Sequence, residues 1–285
     1  MPDDELQCVH AEESNQNGTS SLRKLIETLK PVFRDDPASW HLDLTHCKTI
    51  GIWGATLISS VLLGARTRGR RPRVTLPTTP AETVELCASC GLTHYATGSE
   101  RLTIENVDRF DVPIAQFLAP NYVSDATDII VLLRSCTEID EELEDRIRSC
   151  ISEAIQNVCD HANSTIGAMM GARIDSQQKR IFIAIVDCGV GISQTLKKRY
   201  PKILNAGDAI GKIINGGYSA RTRSNNQGLG VSNICSIVRN VLHGTVCIVS
   251  DNAIAAGNAT EDWSISDDLA VRFPGTGVFL SFPYR

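Results

Sequence analysis

Between Ile151 and Ser164 the chain reads ISEAIQNVCDHANS, and no other stretch restricts its fold so tightly. Glu153, Asn157 and His161 recur at intervals of four inside an otherwise apolar pattern. Four residues advance an α-helix by about 400°, so each polar group sits one turn further along and about 40° around from the last. A carboxylate, an amide and an imidazole therefore share one slanting stripe, beside an apolar face of Leu143, Ile147, Ile151, Ala154, Ile155 and Val158. A surface helix can carry three such residues with no task attached, so the stripe gains meaning only from the residues downstream of it.

A chain of 285 residues suffices for one large or two medium domains, each with its own core. With 42% apolar and 21% charged residues, the composition is that of a folded globular protein. The formal net charge of −5 argues against a nucleic-acid partner, and the one basic run, Arg66 to Arg73, reads as a solvated loop ahead of a strand. No run is long enough to span a bilayer, and the start MPDDELQ lacks a basic-then-apolar signal pattern. The expectation is a cytoplasmic protein with no membrane partner. Cys136, Cys150, Cys159, Cys188, Cys235 and Cys247 fall inside apolar helix or strand patterns, where a free thiol acts as a small hydrophobe in a reducing compartment. Cys87, Cys90 and His94 in CASCGLTH offer three zinc-type donors, but no second cysteine pair of matching spacing supplies the fourth.

Residues 1–20 are polar and read as a mobile N-terminus. Over 21–110, helices and strands alternate: helix 22–29 stopped by Pro31, strand 40–44, helix 52–66, strand 73–76, helix 80–90 ended by Gly91, and strand 102–107. Alternation of this kind predicts an α/β unit on a small sheet. A linker over 111–124 carries Pro113 and Pro120. The second domain, 125–285, is predicted to hold helices 125–135 and 140–162, strands 167–173 and 180–186, and a helix 229–242 closed by His243-Gly244. Strands 245–250 and 277–282 complete it. The fold class is α/β in both halves.

Directly after strand 180–186 stands Asp187-Cys-Gly-Val-Gly-Ile192. An Asp at a strand end, followed by Gly189 and Gly191, aims an acceptor into a pocket and leaves bare backbone for a flat ligand. Such an acceptor suits an exocyclic amine like that of adenine, although ordinary turns use the same residues. Gly228, Leu229 and Gly230 stand immediately before a predicted helix, where backbone N–H groups can face an anion or simply make a turn. Gly275-Thr276-Gly277 enters the last strand and is the least specific piece.

In this order and spacing the four pieces (E-x-x-x-N-x-x-x-H on a helix, D-x-G-x-G-I, G-x-G before a helix, and a late G-T) resemble the GHKL ATPase superfamily over roughly residues 125–285. The phrase EAIQNVCDHA is most similar to the anti-sigma-factor serine kinases. The resemblance implies a Bergerat-fold α/β sandwich that binds ATP with Mg²⁺. Asn157 would be the metal ligand, its amide oxygen suiting the preference of Mg²⁺ for hard donors. Glu153 would be the catalytic group, orienting or deprotonating water or a partner's hydroxyl. His161 would lie towards the ribose or phosphates, or serve the helix alone. Asp187 would receive the adenine amine, with Gly189 and Gly191 shaping that wall and Thr276 fixing the base beside it. Gly228, Leu229 and Gly230 would cradle phosphates. The segment between Gly191 and Gly228 would be the ATP lid, with Lys197, Lys198, Arg199, Lys212, Arg221 and Arg223 as candidate γ-phosphate sensors.

In the first half, HLDLTHCKTIGIWGATLIS and CGLTHY resemble a STAS domain, the family of the anti-sigma-factor antagonists. That family's phosphorylated serine falls near Ile52 or Trp53, which accept no phosphate, so the resemblance implies a scaffold or docking role. His10, His41, His46 and His94 lie in no long amphipathic helix, so autophosphorylation on histidine is not expected. The resulting expectation is a partner-switching serine/threonine kinase or ATPase switch; a nucleotide-gated binding module is the alternative. Its partners would be ATP or ADP and another protein, with a homodimer left open.

Overall fold

The computed structural model describes residues 7–10, 18–98, 111–118, 127, 130–131, 133–134, 139–216 and 230–284. Within them the chain builds two sheets that face each other across one helix.

The first sheet is parallel, in the order β1-β2-β3, from β1 (Gln7–His10), β2 (Ser39–Asp43) and β3 (Arg71–Thr75). β1 lies inside the stretch expected to be mobile and polar; it pairs along its whole length with β2. Helices α1 (Thr19–Thr28) and α2 (Lys30–Asp35) precede β2, and α3 (Ile52–Thr67) carries the chain over to β3. Helices α4 (Ala81–Ser89) and α5 (Leu92–Thr97) come next. The strand expected over 102–107 lies outside the described residues. Part of the basic run is tied down: Arg66 donates to the carbonyls of Tyr95 and Ala96 at the end of α5, and Arg70 pairs with Asp36 at 2.6 Å, whereas Arg68, Arg71 and Arg73 are exposed.

The second sheet has seven antiparallel strands in the order β4-β5-β6-β10-β7-β8-β9. They are β4 (Asp111–Phe117), β5 (Ala168–Asp175), β6 (Arg180–Asp187), β7 (Thr245–Asp251), β8 (Ala253–Asn258), β9 (Ser264–Ser266) and β10 (Phe273–Pro283). β4 occupies part of the stretch read as a linker. Pro113 is tolerated there because β4 is an edge strand whose register shifts between Val112 and Ala115. Helices α6 (Glu141–Asn157), α7 (Ile192–Lys197), α8 (Ala206–Ile214) and α9 (Gly230–Ser236) belong to this half. Of the helix expected over 125–135, only residues 127, 130–131 and 133–134 are described, all helical, with Ile130 and Leu133 buried.

β6 shows why one apolar run serves both layers. Ile181, Ile183 and Ile185 point into the core beneath α6 and α9, whereas Phe182, Ala184 and Val186 point into the core shared with the first half. Side chains alternate across a strand, so a strand covered on both faces reads as continuously apolar. Helix α3 fills the second core and is buried on nearly every side, its Thr56, Ser59 and Ser60 included, as a helix apolar around most of its circumference requires. Its Trp53, 1% exposed, packs edge-on to Phe182 at 6.2 Å and tilted against Phe279 at 5.6 Å. Gly171 of β5 lets α3 approach, since a Cβ there would lie 2.8 Å from Thr56 Oγ1. The molecule is thus layered: helices, sheet, α3, small sheet. No helix among the described residues is long and apolar enough to cross a membrane.

Candidate functional site

Helix α6 starts at Asp140, whose side chain accepts the Leu143 N–H at 2.7 Å, and Glu141, Glu142 and Glu144 favour its positive N-terminal end. Ile147, Cys150, Ile151, Ala154 and Ile155 are buried on the sheet side, which fixes the rotation of the helix and turns Glu153 and Asn157 towards α9. Gly230 opens α9 against them. A Cβ on Gly230 would stand 2.9 Å from Asn157 Nδ2, 3.0 Å from its Oδ1 and 3.2 Å from Glu153 Oε1. Asn157 Nδ2 is closed off from solvent and has no hydrogen-bond partner among the described residues. Buried amides are usually paired, so this one leaves a donor open to a ligand acceptor. Gly228 and Leu229 lie outside the described residues.

The expected stripe does not run on to His161 unchanged. After Asn157 the helix continues as a π turn, Val158–Ala162. Its i→i+5 hydrogen bonds widen the coil, so four residues fall short of a full turn and His161 leaves the 40° progression. The half-buried His161 accepts from Thr195 Oγ1 through its carbonyl at 3.4 Å, and Asn163 closes the segment with φ 50°.

Asp187 ends β6 and is 1% exposed. Burial pushes its carboxyl up to about 7, against the opposing pull of the Gly189 and Thr276 N–H groups, the former donating at 2.7 Å. Two glycines let the surrounding backbone close in. Gly275, with φ +107°, sits at the register shift of β10, and a Cβ there would lie 2.1 Å from the Asp187 carbonyl oxygen. At Gly189 a Cβ would lie 2.0 Å from the Ala162 carbonyl oxygen, which instead accepts the Val190 N–H at 2.8 Å. The end of the π turn is therefore what demands glycine at 189. Gly191 faces Ser250 and Asp251.

Those last two residues escaped the sequence reading. Ser250, fully buried at the end of β7, accepts the Ile192 N–H at 2.8 Å, donates to the Gly275 carbonyl at 3.0 Å and lies 3.4 Å from Thr276 Oγ1. One hydroxyl thereby ties the Gly191 turn to the Gly275-Thr276 turn, with Asp187 between them. Asp251 accepts from Ser193 Oγ and from Arg272 Nε, the latter at 2.6 Å. A Ser-Asp pair ending a predicted strand was the available signal.

The stretch 192–216, read as part of a polar lid, folds into α7 and α8. Ile192, Leu196, Ala206, Ala209 and Ile210 are buried and supply the reason. Lys212 spends its charge on Asp208 at 2.7 Å, and the Arg199 guanidinium lies over the Tyr200 ring at 5.5 Å. Lys197 and Lys198 are exposed, and Arg221 and Arg223 fall outside the described residues. Cys87 and Cys90 are buried in the first half's core, where burial pushes the Cys87 thiol up to about 11. Among the described residues no group of three or more His, Cys, Asp or Glu side chains is placed to hold a metal ion.

Glu153, Asn157 and Gly230 thus meet at the head of α9, and Asp187, Gly191 and Thr276 meet around the Gly275 turn. No curated protein matches the sequence. Residues 118–243 do match the family model of the histidine kinase-like ATPase domain, which supports a GHKL-type ATP-binding domain in this half of the chain.

Proposed function

We propose that the protein binds Mg·ATP across this site and transfers its γ-phosphoryl group, with Glu153 as the base. The observation that carries the reading is the meeting of a carboxylate and an orphaned amide, one turn apart on α6, with the bare backbone of Gly230. Both nucleotide and metal fit these residues: Asn157 Oδ1 is a hard donor, and Gly230 keeps the space beside it free of a side chain. Mg²⁺ held through Asn157 would neutralise charge on the phosphoryl group in flight. Asp187 accepts the adenine amine, and Thr276 and the Ser250 network hold that wall rigid. Glu153 takes the proton of the attacking hydroxyl. The acceptor in this reading is a serine or threonine of a partner protein, docked through the STAS-like first half.

The test tracks γ-labelled phosphate in wild type and Glu153→Ala. We expect turnover to fall by about 100-fold or more with ATP affinity by calorimetry unchanged. Equal turnover in the two proteins would remove Glu153 from the chemistry. A second reading, a nucleotide-gated binding module with little turnover, draws support from the packing of α3 directly on the nucleotide-binding sheet. It predicts tight ATP binding and turnover no higher than that of Glu153→Ala.

A further inference from the structure

We infer that helix α3, from the other half of the chain, positions the nucleotide-binding turn through a contact of Ser60 and Gly64 with Cys188, the residue between Asp187 and Gly189. The inference rests on the ATP-binding reading of that turn. Cys188 Sγ donates to the Ser60 carbonyl at 3.4 Å and lies 3.7 Å from Ser60 Oγ. Burial pushes its thiol up to about 12, so it stays protonated and acts as a donor. Gly64 lies just beyond: a Cβ there would stand 3.1 Å from Cys188 Sγ and 3.3 Å from Cys188 Cβ.

Glycine inside a helix is unfavourable relative to alanine unless something requires it. Gly64 lies in the last turn of α3, ahead of the C-cap Arg68, and its φ is not in the left-handed region where a helix end would ask for glycine. What calls for glycine is the closeness of Cys188. A Cβ is fixed to its own backbone, so any side chain at position 64 presses on the Cys188 side chain, and through its Cβ on the backbone that joins Asp187 to Gly189. That backbone has no slack elsewhere. Gly275 abuts the Asp187 carbonyl on one side, and Gly189 abuts the Ala162 carbonyl on the other. Displacement at Cys188 therefore passes into the adenine acceptor. By reciprocity, whatever binds the first half and shifts α3 changes ATP affinity, and ATP changes the affinity of that ligand by the same factor.

The experiment measures ATP affinity by calorimetry and thermal unfolding for wild type, Gly64→Ala and the double variant Gly64→Ala/Cys188→Ala. Gly64→Ala should still unfold cooperatively while binding ATP about fivefold more weakly, and the melting curve records separately how helix preference and the strained contact balance. A role confined to stability would move the melting temperature and leave the affinity of the folded protein alone. Removing the sulfur in the double variant should restore most of the affinity. Wild-type affinity in Gly64→Ala, or a double variant as weak as the single one, would overturn the contact as a positioning device. Wild type that binds no ATP would remove the nucleotide reading itself, and this inference with it.

Discussion

Replacing Asp187 with asparagine keeps the shape of the side chain and deletes its titration. The wild-type carboxyl is held at about 7 by burial. It is therefore ionised in about one molecule in ten at pH 6 and about nine in ten at pH 8, one pH unit to either side. The carboxylate is the stronger acceptor for an adenine amine, and an apparent Kd scales inversely with the competent fraction. Wild-type Mg·ATP affinity should thus rise about tenfold between pH 6 and pH 8. Calorimetry at saturating Mg²⁺ measures it, and titration of the phosphates themselves is common to wild type and variant. Asp187→Asn should show none of the Asp187-dependent slope and bind about tenfold more weakly at pH 8. Stability should move the opposite way. The folded carboxyl lies above its ordinary value of 3.8, so between those two pH values the folded protein keeps a proton that the unfolded chain has lost. The resulting stability is fully present below 3.8 and disappears as pH rises through about 7. Urea titrations at pH 5 and pH 8 would register the fall in wild type and its absence in Asp187→Asn. Identical affinity slopes in the two proteins would refute the assignment of Asp187 as the titrating acceptor.

Three further substitutions probe the surrounding structure. Gly230→Ala drives a methyl group against Asn157 and Glu153 and should lower kcat about 100-fold, a larger effect than on ATP affinity; steady-state kinetics beside calorimetry separates the two. Ser250→Ala leaves the Ile192 N–H without its buried acceptor, and should cost about 1–3 kcal/mol in urea unfolding together with weaker ATP binding. Trp53→Ala empties space between α3, Phe182 and Phe279, and should cost about 3–5 kcal/mol, measured as a lower urea midpoint at unchanged slope.

How far each element could be read from the sequence depends on the physics that forms it. Glu153 and Asn157 were placed correctly relative to each other because both lie on regular α-helix, where spacing alone fixes direction. His161 was not, because a π turn leaves no mark in residue periodicity. The apolar run of β6 announced a strand, yet its division between two cores depends on α3 lying across the sheet, a long-range fact. β8 was invisible because AIAAGN is rich in small residues with little intrinsic strand preference, and pairing with β7 overrides that preference. α7 and α8 were hidden by the glycines, lysines and asparagines around them, which suggest a loop until their buried residues are seen packed on the core. Ser250 looks like any strand-end serine; only the close approach of two distant turns gives it three contacts.

The strand order β4-β5-β6-β10-β7-β8-β9 places the last-made strand at the centre of the sheet. During synthesis from the N-terminus, β6 and β7 are both complete before the strand that joins them exists. A chain halted before Phe273 holds two half-sheets with no ladder between them, and Trp53 lacks the ring of Phe279. Gly275 and Thr276 ride on that same strand, so the wall facing Asp187 is assembled only at the end. On the proposed reading of that wall, a chain stopped before Phe273 has no adenine site, and ATP would stabilise only molecules in which β10 is already paired.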